Sequence, residues 1–294
     1  MTAIAPSAPV ATVEARPRVT RGGRATWFAL GLYAALAITL IAPLVVAFLW
    51  SVVDPKGGWF APNLLPRGVS LHHWAAIVND RGLTASIFVS LFISLVVVTL
   101  SAFLAMPTAY ALAKIPFRLK RLVEMFILAP LIVPGLIIAV GIGTLFFRVG
   151  LAYSIPGVIL AQAIGTLPFM IRVLAATIEG IPADLIHAAR SLGATPVRVG
   201  LSIVAPLAWP GFVAGGLLSF VASFEEFEKT FIIGAPQVET LTVKLWATLG
   251  GKVIIFPSAA VVTFIVLLPT VIIFFLAERA MRNDSALAAG MGKL

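Results

Sequence analysis

The stretch from Ile181 to Gly211, IPADLIHAARSLGATPVRVGLSIVAPLAWPG, is the most polar connection between strongly apolar segments of this chain. It predicts an amphipathic helix of about ten residues from Pro182 onward, because apolar residues recur at helical spacing until Gly193 supplies a left-handed stop. The apolar side comprises Leu185, Ala188, Ala189 and Leu192, and the polar side Asp184, His187, Arg190 and Ser191. This helix is about 15 Å long, half of the roughly 30 Å thickness of a bilayer core, so it cannot span the membrane. We therefore expect it to lie at a membrane surface or to dock in a partner. Thr195 caps a second short helix that starts at Pro196.

The composition is that of an integral membrane protein. Hydrophobic residues make up 60% of the 294 residues, charged residues only 11%, and the mean hydropathy is +1.07. The absence of cysteine excludes disulfides, thiolate metal sites and a cysteine nucleophile, and three scattered histidines argue against a metal site. The net charge of +9 includes no dense basic run, which argues against a nucleic-acid partner.

Six apolar runs predict an all-α protein with six transmembrane helices in membrane lipid, at residues 27–53, 85–105 (continuing with a kink to 113), 122–147, 155–178, 209–233 and 253–277. The six-span domain covers 26–282, and a disordered basic tail at 1–25 and a short polar tail at 283–294 flank it. Of the 21 lysines and arginines, 14 fall on the side of the termini, which places both termini and the polar connection in the cytoplasm.

The polar connection also carries a spaced motif: His187, Ala188 and Ala189, then Gly193, then Ile203 and the Ala205–Pro206 pair. This spacing resembles the signature of membrane subunits of binding-protein-dependent ABC importers, which is Glu-Ala-Ala, three residues, Gly, nine residues, Ile, one residue and Leu-Pro. His187 stands where that family has Glu, and Ala205 where it has Leu. The alternative is an ordinary interfacial linker helix.

The resemblance implies a type I ABC importer permease fold in a bacterial inner membrane, with the coupling region at 181–206 docking on a cytoplasmic ATPase dimer. The implied ATPase-coupling residues are Asp184, His187, Ala188, Ala189, Arg190, Gly193, Ile203 and Pro206. A second homologous permease and an extracytoplasmic substrate-binding protein are the further implied partners. The chain has no GxxxxGK[ST] loop, so ATP and Mg would be bound by the ATPase and this chain is expected to be non-catalytic and without cofactor or metal.

Acidic residues crowd the predicted fifth span. Counted from Pro210, Glu225 is about 22 Å from the inner surface, still at membrane depth. A bare carboxylate in hydrocarbon costs at least about 2.5 kcal/mol, so exposure to lipid is excluded. The spacing predicts a Glu225–Lys229 pair and leaves Glu226 and Glu228 uncompensated. Either Ser223 and these three glutamates line a translocation pathway, or the helix ends early and the acids are solvated at the outer surface.

The same segment, SFEEFEKTFIIGAPQVETLTVKLW, resembles the Ser-x-Asp-Asp-Phe stretch of the spermidine/putrescine branch of these permeases, with Glu225 and Glu226 in place of both Asp. The resemblance implies a polyamine or related cationic solute. Permeases for opines or amino-acid derivatives, ferric ion or thiamine share the architecture. An ion-driven secondary transporter is the alternative from another class, with the glutamates as its ion site. A membrane-embedded hydrolase is disfavoured because no H-E-x-x-H or G-x-S-x-G motif occurs.

Overall fold

The computed structural model describes residues 23–59, 62–249 and 256–291. The regular secondary structure of this part of the chain is helical, apart from one isolated antiparallel bridge between Val53 and Val69. The helices are α1 (Gly23–Ser51), α2 (His72–Val78), α3 (Arg81–Lys114), α4 (Lys120–Ile132), α5 (Gly135–Val149), α6 (Ile155–Glu179), α7 (Ala183–Ser191), α8 (Pro196–Val199), α9 (Ala205–Leu207), α10 (Trp209–Phe224), α11 (Leu241–Leu249) and α12 (Phe256–Met291). Two π-helical turns, Gly200–Val204 and Thr230–Gly234, precede α9 and α11.

The predicted set of six spans is confirmed if two bent helix pairs each count as one span. Within the described residues, four helices are long and apolar enough to cross a bilayer unaided: α1, α3, α6 and α12. The other two spans are α4 with α5, bent by 102°, and α8–α9 with α10, bent by 73°. The second span runs as one helix through Pro107 to Lys114, as the kinked continuation predicted.

The third span is not the single helix that its hydropathy predicts. Val133 and Pro134 both have extended backbone, with ψ of 132° at each, and they separate α4 from α5. A residue before proline is driven out of the helical region by the proline ring, which accounts for the break at Val133. The chain therefore turns sharply in the middle of this span.

The fifth span starts and ends earlier than predicted. Its first part is the segment Pro196–Leu207, and its second part, α10, stops at Phe224 rather than continuing to residue 233. Sixteen residues at 1.5 Å each give α10 a length of about 24 Å, less than a bilayer core. Glu225 ends the helix, and two non-helical residues follow. The acidic stretch therefore lies at a helix end.

The centre of the bundle is the packing of α3, α6 and α10, which approach closely through small residues. A Cβ added at Gly211 of α10 would lie 2.5 Å from the Thr177 hydroxyl of α6, and one at Gly215 would lie 2.9 Å from Met170 Sδ. On α3, Ala105 is fully buried in the same core. In lipid, where helix association depends on van der Waals contact, such small residues allow helix backbones to approach.

The two predicted tails are only partly described. Residues 1–22 lie outside the described residues, and 23–25 already belong to α1. At the other end α12 continues to Met291, so the tail predicted from 283 starts inside a helix. Residues of α1 up to Ala47 form a unit of their own, and the rest of the helices from Phe48 onward form the second.

Candidate coupling helix and transmembrane polar cluster

The predicted surface helix is present as α7, and its end is built as the sequence indicates. Gly193 has φ +84°, the left-handed conformation that glycine adopts without strain. Its backbone N–H donates to Arg190 O at 3.0 Å, and that of Ala194 donates to Ala189 O at 3.0 Å, which closes the helix end. Pro182 precedes the first helical residue instead of being it. Thr195 caps the next helix by accepting from the N–H of Arg198 at 3.3 Å.

The buried side of α7 differs from the predicted one. Ile186 is buried and Ala189 packs beside it, whereas Leu185, Ala188 and Leu192 are exposed, Leu192 to 89%. Packing on the bundle selects this narrower stripe, so three of the residues assigned to the apolar side remain available to a partner. The exposed surface of α7 is therefore mixed, with apolar as well as charged groups.

The proposed coupling residues fall into two groups around α7. Asp184, His187, Ala188, Arg190 and Gly193 are exposed, as is Pro206, and Ala189 and Ile203 are half-buried. Arg190 donates to the Tyr110 hydroxyl of α3 at 3.4 Å, which ties the polar side of α7 to the bundle. His187, in place of the family's Glu, is among the exposed group.

Lys114 of α3 holds the turn between α6 and α7, a role that sequence reasoning missed. Its Nζ donates to the carbonyl oxygens of Glu179 at 3.1 Å and Ile181 at 2.6 Å, where α6 turns into α7. From the sequence, Lys114 counted only as one of the positive charges that indicate the orientation of the chain in the membrane. A lysine at the end of a span carries no local signal of a partner 67 residues away.

The acidic stretch forms an ion pair, but not the predicted one. Lys229 pairs with Glu226, three residues earlier, and not with Glu225. The backbone N–H of Lys229 also donates to Glu226 Oε1 at 2.9 Å. The side chains are 7% and 14% exposed, respectively, and Glu225 is exposed at the end of α10. Because the helix stops at Phe224, the spacing that would join Glu225 to Lys229 in a continuous helix is lost.

Glu228 lies at the break in the third span. A Cβ on Gly135, the first residue of α5, would overlap the Glu228 carboxylate, so the absence of a side chain there makes room for it. The start of a helix presents free N–H groups and a partial positive charge, which favours a carboxylate. The partial positive charge at the start of α5 thus offsets part of the negative charge of Glu228. The sequence did not reveal this because it depends on the helix break at Pro134 and Gly135.

A buried polar network joins the helices beside this stretch. Ser223 donates to Gln162 Oε1 at 2.6 Å and lies 3.3 Å from Ser94 Oγ, and Gln162 Nε2 donates to Thr230 Oγ1 at 2.8 Å. All four side chains are at most 3% exposed. The network links α3, α6, α10 and the π-helical turn. Ser223, predicted to line the pathway, lies inside this network, and Gln162, Ser94 and Thr230 were not singled out by sequence reasoning.

The charges at this end of α10 are unequal. Within the described ranges, the acidic stretch forms one ion pair, between Glu226 and Lys229, and Glu225 and Glu228 have no ion-pair partner. The stretch therefore keeps an excess of negative charge, on the exposed Glu225 and on Glu228, whose charge the start of α5 offsets only in part, and this excess favours cations over anions. Among the described residues, no three histidine, aspartate or glutamate side chains are grouped so as to hold a metal ion.

Comparison with known proteins supports the fold and the family. A family model described as "Binding-protein-dependent transport system inner membrane component" matches residues 101–282, more than half of the chain. The spermidine/putrescine transport system permease protein PotC of Escherichia coli (strain K12) is 24% identical over 268 residues, 91% of this chain and 96% of that protein. The sulfoquinovosyl glycerol transport system permease protein SmoH of Agrobacterium fabrum is 28% identical over 235 residues, 79% of each chain.

Solved structures show the same fold. A chain of a bacterial ABC transporter involved in import of the acidic polysaccharide alginate superposes with a TM-score of 0.72 at 19% identity, covering 90% of this chain and 99% of that one. A chain of the MetNI methionine ABC transporter, in an inward-facing conformation, gives 0.58 at 20% identity, covering 68% and 95%. The chain belongs to the family of binding-protein-dependent transport system inner membrane components, as a non-catalytic, multi-pass permease subunit of an ABC importer.

Proposed function

We propose that this subunit forms half of the translocation pathway for a polyamine or a related cationic amine. The observation that carries the proposal is the negative excess at the end of α10, where Lys229 neutralises Glu226 and leaves Glu225 and Glu228 to attract a cation. The similarity to PotC, a spermidine/putrescine permease, supports the same substrate class. Ser223 takes part by fixing the end of α10 through its buried network.

Coupling to ATP hydrolysis is assigned to α7. Asp184, His187 and Arg190 are exposed on one short helix that is fastened to α3 and α6 from behind. Such a rigid, exposed, mixed-polarity helix suits docking in a cleft of a cytoplasmic ATPase. One chain offers one such helix, so an ATPase dimer with two clefts requires a second permease. A substrate-binding protein on the outer side completes the proposed complex, and ATP and Mg are held by the ATPase.

The proposed orientation can be tested by topology tags. Tags inserted after Arg21, within 117–121 and after Arg282 are expected to report the cytoplasm, and a tag within 54–59 the outside, because most Lys and Arg residues lie on the side of the termini. An external signal from the tag within 117–121 would refute the arrangement.

The substrate proposal is tested by uptake of labelled spermidine through the assembled importer. Glu228→Gln keeps the shape of the side chain and removes its charge, so it should lower uptake of a cationic amine while assembly and basal ATPase activity persist. Glu239→Gln, at an exposed residue outside this cluster, is the matched control and should leave uptake unchanged. Equal uptake by both variants, or saturation of the partner binding protein by a neutral or anionic solute only, would overturn the cationic assignment.

The energy source is tested in the same assay. Uptake should stop when the Walker lysine of the partner ATPase is replaced and should survive a protonophore while ATP is maintained. Uptake that collapses with the protonophore and ignores the ATPase variant would contradict ATP coupling.

A further inference from the structure

A cavity of about 190 Å³ lies between α4 and α6, and its lining includes no residue of the acidic stretch or of α7. Its apolar lining comes from both helices and from Leu112 of α3. Its charged lining consists of three side chains, Glu124 of α4 and Arg172 and Glu179 of α6. The cavity is amphipathic, because two carboxylates and one guanidinium line it together with apolar side chains.

Within the described ranges, Glu124, Arg172 and Glu179 take part in no side-chain hydrogen bond or ion pair. Arg172 precedes the end of α6 by seven residues, which places it about 10 Å below that end. A guanidinium at that depth in a membrane-spanning helix needs an anion or water, and its partner marks a functional site. Arg172 and Glu179 are exposed and Glu124 is half-buried, so all three charged groups are accessible to a ligand in the cavity.

The charges follow a fixed order from the end of the bundle inward. Glu179 is the last residue of α6, and Glu124 lies in the first turns of α4. The Lys114 ammonium at the end of α3 binds the Glu179 carbonyl, so the ends of α3 and α6 are level. Carboxylates thus stand towards the membrane surface and the guanidinium stands deeper. Apolar groups of Ile171 and Leu128 line the same cavity.

A zwitterionic phospholipid has the complementary order. Its ammonium is outermost, its phosphate lies beneath, and its acyl chains extend into the bilayer. We propose that this cavity binds the headgroup of phosphatidylethanolamine, with the ammonium between Glu124 and Glu179 and the phosphate against Arg172. The N–H groups of a primary ammonium can donate to both carboxylates, whereas the quaternary ammonium of phosphatidylcholine cannot donate. Phosphatidylglycerol has no cation to meet the two carboxylates. The proposal does not depend on the transported substrate.

The test measures which lipid stays with the protein. The full importer is reconstituted in nanodiscs of phosphatidylethanolamine, phosphatidylcholine and phosphatidylglycerol in equal amounts, extracted with mild detergent, washed, and analysed by mass spectrometry of bound lipid. Phosphatidylethanolamine should be retained well above its share of the mixture. Because a charge-assisted contact is lost, Arg172→Gln should weaken that retention by about tenfold. Arg148→Gln, on an exposed arginine in the last turn of α5 outside the cavity, is the control and should retain lipid as the parent does.

Glu179→Gln provides a second variant that keeps the fold, because Glu179 is exposed at a helix end. It should lower retention of phosphatidylethanolamine and reduce the preference over phosphatidylglycerol. Retention of the three lipids in proportion to the mixture, or a preference unchanged in both variants, would overturn the proposal. Soluble phosphoethanolamine supplies the other source of the same chemistry. If it binds the lipid-depleted complex in an Arg172-dependent manner while no lipid is enriched, the lipid assignment is wrong.

Discussion

We expect removal of the charge of Glu226 to lower the free energy of unfolding strongly, even though Glu226 lies among other negative charges, because it pairs with the buried Lys229. Glu226→Gln leaves the Lys229 ammonium without its carboxylate, and that side chain is only 7% exposed. It also packs against α6, since a Cβ on Gly165 would lie 3.3 Å from both Lys229 Cε and Nζ. Breaking a buried pair by removing one partner typically costs about 3–5 kcal/mol. The Glu226 side chain is 14% exposed, and a glutamine there keeps one oxygen that can accept a hydrogen bond. For both reasons we expect a cost at the lower end of that range, about 3 kcal/mol.

For a chain of this size, a loss of about 3 kcal/mol corresponds to a fall in the melting temperature of about 6–12 °C. The assay is thermal unfolding of the purified permease in detergent, followed by intrinsic tryptophan fluorescence, with size-exclusion chromatography to exclude aggregation. Glu239→Gln, the same change at an exposed glutamate, is the control and should shift the free energy of unfolding by less than about 1 kcal/mol.

A double variant separates charge from packing. Glu226→Gln combined with Lys229→Gln removes both charges and keeps two groups that can hydrogen-bond, so most of the lost stability should return. The reasoning is refuted if Glu226→Gln melts with the Glu239→Gln control, or if the double variant is as unstable as the sum of the two single variants.

Three further outcomes follow from particular residues. Gly193→Val places a β-branched residue at φ +84°, so the complex should assemble but lose stimulation of the ATPase by loaded binding protein; full stimulation would argue against docking at α7. Gly211→Ala drives a methyl group against Thr177 and should destabilise by about 1–3 kcal/mol in thermal unfolding, whereas Gly141→Ala, with nothing within 4 Å, should be tolerated. Burial, together with the neighbouring imidazole of the histidine before it, lowers the pKa of His73 in the folded protein. The neutral imidazole therefore contributes fully to the free energy of unfolding above pH 6.5, and this contribution falls as the pH drops through and below that value. His73→Gln should flatten this part of the curve of stability against pH.

The coupling region could be predicted because its signals are local. A glycine stop and a capping threonine act on the neighbouring residues, and Gly193 and Thr195 adopt the predicted roles. The face of α7 that packs was predicted less well, since the choice of Ile186 over Leu185 depends on α3 and α6 rather than on periodicity. The motif spacing was sufficient for the family because it extends over both short helices.

The acidic stretch could not be predicted in detail because its partners are distant. The carboxylate of Glu228 meets Gly135, and Ser223 meets Gln162, more than 60 residues away in each case. The expected Glu225–Lys229 pair assumed a continuous helix, and nothing in an apolar run marks a stop at Phe224. Hydropathy indicated that a span was there, but the sharp turn after Val133 required the pre-proline backbone to be considered.

The π-helical turn at Gly200–Val204 places one surplus residue between the coupling element and α10, with the N–H of Ala205 reaching back five residues to Gly200 O. Deleting a single residue there would let the segment close as ordinary α-helix with both neighbours intact, yet every side chain on the coupling side would rotate by about 100° relative to α10. If α7 docks on the ATPase as proposed, a one-residue deletion here would thus turn the docking surface relative to α10 without removing any residue that makes contact. The number of residues in this turn therefore fixes the orientation of α7 relative to α10 independently of the side chains that would contact a partner.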